Sequence, residues 1–240
     1  LTRWEFWWEF NKDPFINLRE AIHKTGTVTN SDEFFMGAGK VRISKDTLKP
    51  TEAQILNKIL PDLNRALEST DQRDITSSCL IAMAKIGKST DQIDIIKIFK
   101  GELTSNDQEI RETAALAMGI SQMTEAVPDL VEVVKDTPAG RRLCDRSEVD
   151  DRTRAFAAYG LGLIGYATSS VDVKRQIFET LKPVLNDEDI VNRNIPVAII
   201  NAIGLLKPDT SNDKGKQLFT EITTELREFY EKDLGRSRQL

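Results

Sequence analysis

The chain has 240 residues, 40% of them hydrophobic and 30% charged, with a net charge of −5, a balance that suits a packed core and excludes wholesale disorder. The acidic excess provides no general field for nucleic acid, and the longest aliphatic stretch, Ile195 to Leu206, is broken by Pro196, Asn201 and Gly204, so no run approaches the roughly 20 apolar residues that span a bilayer. Two cysteines, Cys79 and Cys144, with one histidine, His23, exclude a disulfide framework and the usual multi-histidine zinc sites.

The chain opens on Leu1, which reads as a piece of a longer chain, and an exported location stays open. Residues 1–22 carry Trp4, Trp7 and Trp8 at i, i+3, i+4 spacing, with Phe6, Phe10 and Phe15 nearby. That spacing predicts an aromatic helix that either caps the end of a helical array or docks a partner; His23 follows as a solvated residue. Residues 23–50 are rich in Gly, Thr, Ser and Lys and read as a loop-rich connection. Within them, Gly37-Ala38-Gly39-Lys40 lacks the spacing of a phosphate loop, and no cofactor is expected.

From residue 51 the dominant signal is a repeat. Four segments share one template: ITSSCLIAMAKIG from Ile75, IRETAALAMGISQ from Ile110, TRAFAAYGLGLIG from Thr153 and IPVAIINAIGLLK from Ile195. Each contains a small-apolar-small triplet ending at Ala84, Gly119, Gly162 and Gly204, positions 35, 43 and 42 residues apart. Small residues at those places let neighbouring helix axes approach closely. Each segment follows a helix with apolar residues at 3.6-residue spacing, expected over 51–68, 90–103, 126–135 and 171–185. Thr51 with Gln54, Ser89 with Gln92, and Ser105 with Gln108 have capping-box spacing. Gly87 and Gly165 are expected just past helix ends, and Pro61 and Pro196 to kink or restart a helix.

An insertion over 136–152 lengthens the third repeat with Arg141, Arg142, Arg146 and Arg152 against Asp145, Glu148, Asp150 and Asp151. It reads as an exposed mixed-charge loop, or as a partner-binding rim on which Arg141 and Arg142 grip a carboxylate or phosphate. Cys144, in this polar stretch, reads as an exposed thiol, whereas Cys79 reads as core. A last amphipathic helix, about 213–232, is expected to cap the C-terminal end within residues 208–240.

The segments DQEIRETAALAMG from Asp107 and DRTRAFAAYGLGLIG from Asp151 resemble the second helix of HEAT repeats, and Pro61-Asp62-Leu63 and Pro128-Asp129-Leu130 resemble the start of the first. The resemblance covers 51–207; the opening WEFWWEFNKDPF is similar to the start of HEAT-like proteins of environmental bacteria. It implies an all-α chain, an α-α superhelix of about four antiparallel helix pairs. It also implies a polar ladder between repeats, for which Asp107 with Arg111 and Asp150 with Arg154 are the candidates. Thr76 and Pro196 stand where the ladder arginine would be in the first and fourth units.

The resulting expectation is a non-catalytic, protein-binding scaffold. The resemblance leaves two alternatives: a HEAT-like lyase or chaperone subunit for a prosthetic group, and, less favoured by charge, a nucleic-acid-binding HEAT-like protein. No acidic pair stands in a context that marks it for acid–base chemistry, so no catalytic residue is assigned.

Overall fold

The computed structural model describes residues 50–237. The aromatic segment with Trp4, Trp7 and Trp8, His23, and all but the last residue of the connection over 23–50 lie outside them. A unit boundary falls between Ile55 and Leu56. On its first side the Thr51 capping box forms: the Gln54 N–H donates to Thr51 Oγ1 at 3.2 Å and the Thr51 N–H to Gln54 Oε1 at 2.9 Å.

Among the described residues the chain is all-α, with no strand. An α turn at Glu52–Gln54 and a π segment at Ile55–Ile59 lead into α1, Leu60–Glu68. Pro61 sits in the first turn of α1, where its missing N–H interrupts the regular ladder and the wider π turn precedes it. There follow α2 (Arg73–Ile86), α3 (Ile95–Glu102), α4 (Gln108–Ile120) and, after a 3-10 turn at Thr124–Ala126, α5 (Val127–Val134). The short α6 (Pro138–Leu143), then α7 (Asp151–Ala167), α8 (Val171–Leu185), α9 (Asn194–Leu205) and α10 (Asp213–Ser237) complete the order. None of these helices is long and apolar enough to cross a membrane.

Two expected capping boxes do not form. Helix α3 begins at Ile95 because Asp94, directly before it, accepts the Lys97 N–H at 3.1 Å, while Ser89 Oγ takes the Ile95 N–H at 3.2 Å. Asp107 likewise caps α4, accepting from the Glu109 and Ile110 N–H groups, and Ser105 Oγ accepts the Asp107 N–H instead. A carboxylate adjacent to the first turn combines an acceptor with the favourable helix dipole, which the more distant serines cannot match. Gly87 ends α2 as expected, at φ 62°, in the left-handed region glycine tolerates.

The four repeat-bearing helices pack in sequence: α2 against α4, α4 against α7, and α7 against α9. Each is also covered by a helix from its own repeat: α1 on α2, α3 on α4, α5 on α7 and α8 on α9, with α10 on α8. The small residues explain the first set of contacts. A Cβ on Gly119 would fall inside the contact radius of Gly160 Cα, one on Gly160 would lie 2.9 Å from the Ala115 carbonyl oxygen, and one on Gly162 would lie 2.6 Å from Ala202 Cα. These backbones touch.

Gly165 was expected past a helix end, but α7 runs on to Ala167 and buries Gly165 against the Leu206 side chain. Helix α7 meets α4, α5, α8 and α9 and turns its small residues to them, leaving the line 152, 156, 159, 163 and 166 exposed or half-buried. Gly204 departs from the template: it is exposed, and a Cβ there would meet nothing within 4 Å.

Gly119→Ala should therefore cost about 3 kcal/mol or more, because two backbones would have to separate. Gly204→Ala should add roughly 0.5–1 kcal/mol through helix propensity alone. Urea unfolding of the two variants beside the parent checks both; equal effects would remove the close-approach argument.

Candidate functional site

The insertion is not a free loop. Asp136, at φ 50°, sits where α5 ends. It receives Arg141 Nε at 2.9 Å and Nη2 at 2.6 Å, one on each carboxylate oxygen, and the Val149 N–H at 2.8 Å. One carboxylate thus ties both ends of the stretch together. Thr137 Oγ1 caps α6 by accepting the Gly140 N–H at 3.1 Å. The two-pronged carboxylate grip anticipated for Arg141 exists, but its occupant is the chain's own Asp136. Burial alone would raise the Asp136 carboxyl; the hydrogen bonds from Arg141 and Val149, with the Arg141 and Arg154 charges, overcome that and hold it below its ordinary value.

Arg146 also turns onto the protein, donating to the Ser105 carbonyl oxygen at 3.1 Å and to Asn106 Oδ1 at 3.2 Å. Of the three arginines proposed for partner binding, Arg142 alone is exposed and without a side-chain partner among the described residues. Cys144, expected as an exposed thiol, is 1% exposed, and burial pushes its pKa up to about 11, against the opposing pull of Arg111 and Arg146. It is a core residue. The polar letters around it in sequence point elsewhere in space, which composition alone does not reveal.

Of the four candidate ladder residues, Arg111 and Asp150 pair with each other, 39 positions apart in the chain. Arg111, 5% exposed, donates to Asp150 through Nε at 3.1 Å and through Nη2, and its Nη1 meets the Ser105 and Asn106 carbonyl oxygens at 2.8 and 3.1 Å. Asp107 is spent on capping its own helix. Arg154 does not pair with Asp150; it donates to the Val134 carbonyl oxygen at 2.9 Å and stands 3.8 Å from Asp151. Buried carbonyls left by the loops must find donors, and the guanidinium groups provide them.

A second place was not singled out as a site in the sequence. Arg152, Ala155, Phe156 and Tyr159 of α7, with Asn194 and Val197 of α9, line a groove of about 390 Å³. Phe156 and Tyr159 meet edge to face, 6.3 Å between ring centres. Val197 is 52% exposed, and Tyr166, further along α7, is 57% exposed. Arg152 is held at one edge: its Nη2 donates at 2.8 Å to Glu112 of α4, which is 3% exposed and takes Gln108 Nε2 on its other oxygen at 2.8 Å. The signal was present, since 152, 156, 159, 163 and 166 follow heptad spacing, but a core stripe has the same spacing. Among the described residues no group of three or more His, Cys, Asp or Glu is placed to hold a metal ion.

No protein-family model matches this chain, and no curated protein or solved structure matches it either.

Two measurements test this geometry. The stability that Asp136 contributes is present above the ordinary carboxylate value near 3.9 and is lost as pH falls through its lower folded value. Asp136→Asn should accordingly be less stable than the parent at pH 7, with the gap closing as unfolding is followed down to about pH 2. Cys144 should resist a thiol-specific reagent at pH 7.5 in the folded protein and react fully in urea; rapid native labelling at this residue would contradict its burial.

Proposed function

We propose that residues 51–207 form a HEAT-type solenoid of antiparallel helix pairs and that the chain is a non-catalytic scaffold binding another protein. The succession α2, α4, α7, α9, each covered by its own partner helix, supports the first part, as does the Arg111–Asp150 rung between successive repeats. The observation that carries the second part is the open groove between α7 and α9, with Tyr166 and Val197 left more than half exposed beside it. Neither side chain is needed to close the core, and exposed aromatic and aliphatic groups aligned on packed helices suit a protein partner.

The test is capture from the native source with the whole chain as bait, followed by calorimetry with the purified partner. The expected result is one protein recovered in stoichiometric amount, binding with a measurable Kd and no turnover of either component. Recovery of a tightly held chromophore in place of a protein would overturn the reading.

A further inference from the structure

We propose that the exposed face of α7 and α9 is a docking site for an acidic peptide: a short segment with two or three apolar side chains flanked by carboxylates. The proposal rests on the scaffold reading above and names the partner's chemistry and its place.

The face is built from two parallel stripes. On α7, positions 152, 156, 159, 163 and 166 recur every three or four residues and fall on one side of the helix. On α9, Val197, Asn201 and Gly204 are exposed along one line and Leu205 is half-buried beside them. Close backbone contact at Gly162 and Ala202 holds the two helices together, so the stripes run side by side with the groove between them.

Charge decides what fits. Helix α9 contains no charged residue, and the sole acid of α7 is Asp151 in its first turn, beside Arg154. Glu112 is buried and already committed to Gln108 and Arg152. Two cations stand at the two ends of the face, Arg152 and Lys207, while the Asp151 carboxylate lies 3.8 Å from Arg154 and Asp209 is bound to Ser211. Arg152 stands at one end with a single guanidinium nitrogen on Glu112, leaving its other N–H groups to donate. Lys207, just past α9, lies 5.5 Å from the centre of the Tyr166 ring at the other end.

From position 152 to 166 the helix rises about 21 Å, a span that six or seven extended residues cover. Carboxylates at the ends of such a segment would meet Arg152 and Lys207 while its apolar side chains enter the groove beside Phe156, Tyr159 and Val197. Nucleic acid fits less well. Two cations at opposite ends of the face do not track a phosphate backbone, whose binding grows with the number of phosphates neutralised.

Fluorescence anisotropy on the whole chain tests the site with three probes. One is a labelled peptide with a leucine–phenylalanine–leucine core flanked by aspartates, the second has the same core flanked by lysines, and the third is a ten-residue oligothymidine. The acidic peptide should bind, weaken with added salt, and lose about tenfold in affinity in Val197→Asp and severalfold in Lys207→Glu, both at exposed positions that leave the fold intact. Equal binding of the two peptides, indifference to both variants, or displacement by oligothymidine would each overturn the proposal. So would concentration-dependent dimerisation abolished by Val197→Asp, which would make the occupant a second copy. A captured partner whose Kd is unchanged by both variants would sink the acidic-peptide site and leave the scaffold reading standing; failure to capture any partner sinks the scaffold reading itself.

Discussion

Backbone contact between successive repeat helices is the constraint on which the rest of this structure depends. Where Gly119 faces Gly160, and Gly162 faces Ala202, there is no side chain to act as spacer, and the helices meet at main-chain distance. Each glycine costs about 1 kcal/mol of helix propensity. The return is dispersion contact along the whole crossing, with larger side chains on either flank drawn inward to fill the angle. The covering helices supply that bulk: Phe99 of α3, Leu130 of α5 and Leu181 of α8 are all fully buried. Small residues set the spacing, and large ones fill it.

The same close spacing creates a polar problem at the turns. Loops that enter the repeat helices bring carbonyl groups to the edge of the core, and they require donors. Arg111 serves two of these carbonyls and the Asp150 carboxylate at once, while Arg146 adds a second donor to the Ser105 carbonyl. Asp136 closes the insertion in the same manner, from the acceptor side. Most of the charge in the insertion is consequently consumed in holding it, and Cys144 is shut beneath it. A region that looks adhesive as a string of letters is a clasp.

That economy shifts attention to the face formed by α7 and α9. There the residues are not recruited by the core: Tyr166 and Val197 are exposed, and the flanking cations are only partly satisfied. A chain whose polar groups are matched internally on one side and whose apolar groups stand unmatched on another has its binding potential concentrated on the second.

The helical class and the close approaches at Gly119 and Gly162 were readable from the letters, because periodicity and small-residue triplets are local. Val171–Leu185 was placed to the residue, and Gly87 marked a true helix end. Other features depended on neighbours distant in the chain. Gly165 looked like a stop and is a packing surface, because Leu206 lies against it; Gly204 matched the template and touches nothing. The arginines of the insertion could be counted, but which would face Asp136, Asp150 or water was settled by the fold. The stripe at 152, 156, 159, 163 and 166 could be seen without being assigned to core or surface. Sequence by itself determined that these helices form and where their slimmest sides lie, since those are properties of short segments. Only the tertiary structure decided which charges are spent and which apolar groups stay open, since that depends on what each helix meets across the chain.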